Sequence, residues 1–155
     1  GMEDLVTSGV ELDESQARIT LFHLADRPGQ AARVFRAIGD AGIFVDMIVQ
    51  NAGIEGSSVL SFTVPRDSAD RAAEAARSVT DAEVSIEPAM AKLSVLGVGM
   101  RTHTGVATRM FGALADRGIN INLINTSEVR INVGTDIDQG KAGLDCLKSA
   151  FFLAD

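Results

Sequence analysis

The chain of 155 residues is 46% apolar and 23% charged, an ordinary balance for a globular protein, with room for one domain or two small ones. Its formal net charge of −7 and its lack of Trp and Tyr argue against nucleic acid, whose binding rests on phosphate neutralisation and aromatic stacking. Cys146 is the only cysteine, which excludes an internal disulfide, and no apolar run is long enough to span a bilayer. The chain therefore reads as cytoplasmic, with neither a membrane nor a nucleic-acid partner.

Residues 5–12, centred on Val6 to Leu12, read as a strand with no obvious partner. Ile19, Leu21 and His23 then alternate with Thr20, Phe22 and Leu24 at strand period, which makes His23 a structural residue among apolar neighbours. Asp26-Arg27-Pro28-Gly29 is a turn, because Pro fixes φ and Gly lets the chain reverse. Ala31, Val34, Phe35 and Ile38 follow at helical spacing, and Gly42 caps the helix at its C-terminus. Ile43–Asn51 reads as a second strand and Ser58–Val64 as a third, ended by Pro65. A helix capped by Asp67 or Ser68 runs to Val79, and Val84–Ile86 is a short fourth strand closed by Pro88.

From Ala91 the same series begins again. Leu93, Val95 and Leu96 lie in a strand, and Gly105 opens a helix carrying Ala107, Met110, Phe111 and Leu114 that Gly118 ends. Strands at Ile119–Asn125 and Glu128–Val133 and a helix at Asp138–Ala150 complete it, leaving Phe151–Leu153 for a last strand. Past a two-residue insertion at Met100-Arg101 the copies align. Gly29 matches Gly105, Arg33 matches Arg109, Phe35 matches Phe111 and Gly42 matches Gly118. Self-similarity at both core and turn positions marks a duplicated module. The order βαββαβ predicts an α+β fold of two ferredoxin-like modules, each an antiparallel sheet with helices on one face. The modules span 17–89 and 91–155. The strand at 5–12 is placed in the second module's sheet, which makes the first module an insertion within the second.

The turn before the first helix suits a free amino acid. Helix N-terminal N–H groups and the positive end of the helix dipole favour a carboxylate, and Gly29 allows close approach. Asp26, or Asp46 on the neighbouring strand, is placed to answer an ammonium. Asn120 stands where the first copy has Phe44, and Asn122 where it has Asp46, so the two copies offer different chemistry. The turn also reads simply as a helix start, Gln50 and Asn51 as edge-strand solvation, and Glu128 with Arg130 as an ion pair. His103 has no second His, Cys or carboxylate cluster beside it, so neither a metal nor a cofactor is expected. Cys146 reads as a buried thiol.

Asp26-Arg27-Pro28-Gly29-Gln30-Ala31, the partner segment Thr102-His103-Thr104-Gly105-Val106, the run Phe44 to Asn51 and the run Asn125 to Ile131 together resemble the paired ACT domains that regulate aspartate kinase. The resemblance covers Val10 to about Leu147. It implies a regulatory region with no kinase activity of its own, whose effector is threonine, lysine or both, acting by feedback inhibition. It also implies a homodimer, with the first module of one chain meeting the second of another, and a kinase-bearing partner chain. Carried over residue by residue, the effector site comprises Asp26, Arg27, Pro28, Gly29, Gln30, Ala31, Phe44, Val45, Asp46 and Gln50 in the first copy. In the second copy it comprises Thr104, Gly105, Val106, Asn120, Ile121, Thr126, Ser127 and Glu128. Two departures stand out. Thr104 replaces the proline usual at the second turn, and the loop Ala52 to Ser57 is shorter and less acidic than in the family. The alternative function is a stand-alone ACT amino-acid sensor that regulates another protein.

Overall fold

A computed structural model describes residues 9–97 and 103–151. The chain divides into two compact units. One, the inserted unit, is Ser15–Ala89; the other, the discontinuous unit, joins Gly1–Glu14 to Met90–Asp155.

In the inserted unit, β1 (Gly9–Ala25) leads to α1 (Gln30–Asp40), β2 (Ile48–Ala52), β3 (Ser57–Pro65), α2 (Ala69–Arg77) and β4 (Glu83–Leu96), the strand order being β2-β3-β1-β4. β3 is central and antiparallel to both neighbours, with Ile19 and Ile48 each opposite Phe62. Ile19, Leu21, Leu60, Phe62 and Val64 are buried beneath Val34 and Ile38 of α1 and the alanines Ala69, Ala72 and Ala76 of α2. In the discontinuous unit, β4 leads to α3 (His103–Asp116), β5 (Leu123–Thr126), β6 (Arg130–Asp136) and α4 (Gly140–Ala150). Here β6 is antiparallel to both β4 and β5, and β1 supplies the outer strand beyond β4. Val10 and Leu12 pack against a core of Leu93, Val95, Met110, Leu114, Ile131, Val133 and Leu147. Each unit is thus a four-stranded antiparallel sheet backed by two helices.

Both first helices of the repeat end in the same way. Gly42 and Gly118 take φ of 74° and 71°, a conformation costly to any side chain with a Cβ. The Gly42 and Ile43 amides return to the carbonyls of Gly39 and Ile38, and those of Gly118 and Ile119 return to Ala115 and Leu114. This is the Schellman pattern, and Ile38 and Ile43 supply the apolar contact that accompanies it.

Several sequence expectations change. The strand expected at 5–12 and the one starting at Ile19 are a single strand from Gly9, and residues 5–8 lie outside the described residues. Polar residues 13–16 continue the strand, with Gln16 buried and its Nε2 donating to Asp46 Oδ2 at 2.7 Å. Pro88 does not close a strand, because β4 runs through it. β6 pairs with β4 only from Met90 onward, so on that side Pro88 has no ladder bond to lose. The second strands begin later than expected, at Ile48 and Leu123, because 43–47 and 119–122 leave the Schellman turns without regular pairing. There the Met47 amide bonds to Thr63 Oγ1 instead of a ladder carbonyl. Gly105 does not open its helix, since α3 starts at His103. Ser68 occupies the N-cap position of α2 but makes no side-chain cap hydrogen bond, and a 3-10 turn at Arg66–Ser68 leads into the helix. Phe151 is a turn residue, and the rest of the expected last strand lies outside the described residues.

Two helical glycines make opposite predictions. A Cβ on exposed Gly112 of α3 meets nothing, so Gly112→Ala should stabilise the chain by about 0.5–1 kcal/mol through helix propensity. A Cβ on Gly143 of α4 would run into Leu93 Cδ1 in the core. Overpacking of about 1–3 kcal/mol there exceeds the propensity gain, so Gly143→Ala should destabilise. Urea midpoints of the two variants should move in opposite directions, and parallel movement would contradict the packing described.

Candidate functional site

The strand register decides which candidate residues can meet. Within the inserted unit, β3 lies between β1 and β2, so Asp46 is not on a strand adjacent to the Asp26 turn. Asp26 donates its amide to Gly56 O at 2.9 Å, beside the start of β3, whereas the Asp46 amide bonds to Thr63 O at 3.0 Å, near its end. Ser57 and Thr63 are roughly 20 Å apart along an extended strand. The expectation that Asp26 or Asp46 of one copy serves the same spot is therefore corrected: they occupy opposite ends of the unit.

One end gathers Asp26, Arg27, Pro28, Gly29, Gln30 and Ala31. Gly29 takes φ 93° and α1 has no side-chain cap at its N-terminus; the Gln30 amide turns back to Arg27 O, which leaves those of Ala31 and Ala32 as the first-turn donors for an acceptor. Gln50 leans toward the same end, its Nε2 donating to Ser58 Oγ at 3.2 Å. The other end holds Phe44, Val45 and Asp46 in the irregular stretch before β2. Phe44 is 73% exposed, while Val45 packs partly on the core.

The discontinuous unit repeats the division. Thr104, Gly105 and Val106 lie in the first turn of α3, and Thr126, Ser127 and Glu128 lie at the β5–β6 turn. Both are at the end reached by β4, where the Gly97 amide bonds to Val129 O at 2.9 Å. Asn120 and Ile121 lie at the opposite end, where Asn120 Nδ2 donates to Asn122 Oδ1 and Asn122 Nδ2 donates to Asp136 Oδ1 at 3.0 Å. Val106 is 1% exposed in the core, so its side chain is unavailable and only its backbone can face a ligand. Thr102 of the second turn lies outside the described residues. Cys146 is buried, and desolvation raises the pKa of its thiol above the usual value, which leaves it a poor nucleophile. Among the described residues, no group of His, Cys, Asp and Glu is gathered as a metal site, and no helix is long and apolar enough to cross a membrane.

His23 departs from its expected structural role. The β1–β3 register shifts between Leu21 and Leu24, and at this bulge His23 takes φ 63°. The bulge breaks the expected alternation, burying Leu24 and exposing His23. The imidazole lines a cavity of about 400 Å³ at the turn end of the unit, together with Arg27, Gln30, Arg33, Arg77 and Asp81. Nothing in sequence spacing signals this grouping, since it depends on the bulge and on the segment that follows α2.

The ACT domain family model matches twice, at residues 23–79 and 93–151, once in each unit. The chain belongs to the ACT domain family. The ACT pair is 39% identical to the regulatory subunit of aspartate kinase from Thermus flavus, with a TM-score of 0.87, covering 94% of this chain and 99% of that one. It is 38% identical to a chain in a structure of aspartokinase alpha and beta subunits, with a TM-score of 0.88, covering 96% of this chain and 100% of that one. An aspartokinase of Mycolicibacterium smegmatis is 40% identical over 152 residues, 92% of this chain but 36% of that protein. The ACT pair thus spans about a third of the curated relatives it matches, and it corresponds to the regulatory region of aspartate kinase.

Proposed function

We propose that the ACT pair senses threonine, lysine or both for a cytoplasmic aspartate kinase and transmits feedback inhibition to a kinase-bearing partner. The observation that carries this reading is the splitting of the candidate site: each unit offers an N-terminal helix turn at one end and the stretch before its second strand at the other. Neither half encloses an amino acid. A second copy of the chain would bring the turn of one protomer to Phe44–Asp46 or Asn120–Ile121 of the other. The exposed Phe44 and Ile48 beside those residues supply apolar surface for such a contact. The α1 amides would receive the carboxylate, and Asp46 would answer the ammonium. Inhibition then requires only that the effector bind one arrangement of the dimer more tightly than the other.

The test is a thermal-shift screen over the twenty amino acids, followed by titration of the Asp46→Asn variant. A ligand at ~100 times its Kd stabilises the fold by roughly 2.7 kcal/mol. The substitution keeps an acceptor for Gln16 but removes the charge, so effector affinity should fall by about tenfold or more with little change in the unliganded Tm. Absence of any amino-acid shift, or wild-type affinity in Asp46→Asn, would refute the assignment.

A further inference from the structure

The repeat places Arg33 of α1 and Arg109 of α3 at the same position. In the discontinuous unit Arg109 Nη1 donates to Ala150 O at 3.0 Å, at the end of α4, and its guanidinium lies 6.0 Å from the centre of the Phe151 ring. In the inserted unit the last turn of α2 finds partners from the residues that follow it. The Glu74 and Ala76 carbonyls receive the amides of Ser78 and Val79, and Ser78 Oγ donates to Ala75 O at 2.7 Å. Arg33 makes no bond like that of Arg109 and lines the 400 Å³ cavity instead. Arg27 and Arg77 line it too, and none of the three guanidiniums forms an ion pair or hydrogen bond with another described side chain. The opposing charge is the single carboxylate of Asp81. His23 completes the lining from a backbone conformation that a β-branched or bulky residue rarely tolerates. In a chain of net charge −7, this is a local concentration of positive charge beside an uncapped helix N-terminus.

We propose that this cavity of the inserted unit, which adjoins the effector turn and shares Arg27 and Gln30 with it, binds a compact multivalent anion bearing phosphate or carboxylate groups through Arg33 and Arg77. Guanidinium forks match both head groups bidentately, and the volume lies within the range of small-molecule sites. The anion would tie the start of α1 to the segment after α2.

Pyrophosphate and citrate serve as probes, titrated calorimetrically into the chain at about 0.15 M salt, where long-range attraction is screened. At least one should bind saturably, and the one that binds identifies the head group. The double variant Arg33→Gln/Arg77→Gln should weaken that binding by about tenfold or more, with circular dichroism and unliganded Tm unchanged. Arg109→Gln serves as the control from the other repeat and should leave anion binding as in the wild type. Absence of saturable binding by either probe, or undiminished binding in the double variant, would overturn the proposal. Any amino acid that shifts the Tm is titrated in parallel. Its retained affinity in the double variant would show that Arg33 and Arg77 serve the anion and not the amino acid, and an equal loss of amino-acid affinity would overturn their assignment to an anion site. Failure of amino acids to bind would bear on the proposed function alone.

Discussion

Deletion of residues 1–14 is expected to unfold the discontinuous unit while the inserted unit stays folded. The boundary at Glu14 falls inside β1, so the deletion removes the outer strand of one sheet and leaves the central pairing of the other, from Gln16 opposite Pro65 to Ala25 opposite Ser57. Val10 and Leu12 pack on the discontinuous core, and Leu12 reaches the α4 backbone at Gly140. Burial of such side chains contributes about 1.5–3 kcal/mol each when complete, less here because both are half-exposed. With the lost backbone pairing, the deletion should remove on the order of 3–5 kcal/mol, enough to unfold a unit of marginal stability. Amide exchange is the direct measurement. Protection of Leu93, Ile131 and Leu147 should collapse, and that of Ile19, Leu60 and Phe62 should persist. Equal loss in both units would mean that the shared strands make the chain one cooperative block, and unchanged protection would mean that β1 contributes nothing to the second sheet.

Features governed by local chemistry were legible in the sequence. Gly42 and Gly118 stop helices because their positive φ excludes other residues, and that requirement is visible wherever Gly follows an apolar helical period. The duplicated module was legible for the same reason, since each copy repeats its own turn and core residues. Continuity was harder to see. Residues 13–16 are polar and Pro88 is a strand breaker, yet both lie within long strands because their neighbours come from elsewhere in the chain. Local composition does not report pairing of that kind.

The candidate site was legible as a set of residues but not as an arrangement. Asp26 and Asp46 carry the charges an amino acid calls for, but β3 lies between their strands and separates their levels. Only the register, set by pairs such as Ile19 with Phe62, decides that distance. The cavity at His23 was hidden more deeply. A one-residue bulge moved an expected core residue to the surface, and Arg77 and Asp81 reach it from more than fifty positions away in the sequence.

Replacement of Phe62 by Ala should be the most damaging single side-chain truncation in the inserted unit. Phe62 is fully buried on central β3, and its ring meets that of Phe35 edge-on, with centroids 5.4 Å apart and planes at 70°. Phe→Ala in a packed core costs about 3–5 kcal/mol, because the cavity left behind does not fully close. A unit of this size holds about 4–11 kcal/mol, so the variant should lose a large part of it and its Tm should fall by more than about 10 °C. Phe35→Ala should cost less, since Phe35 is only half-buried, and the double variant should reveal a coupling of about 0.5–1.5 kcal/mol. A near-zero coupling would show that the two rings share a core without sharing a contact. The magnitudes also bear on sensing. An effector at ~100 times its Kd returns roughly 2.7 kcal/mol, less than Phe62→Ala removes, so saturating amino acid should raise the variant's Tm without restoring it to that of the unliganded wild type.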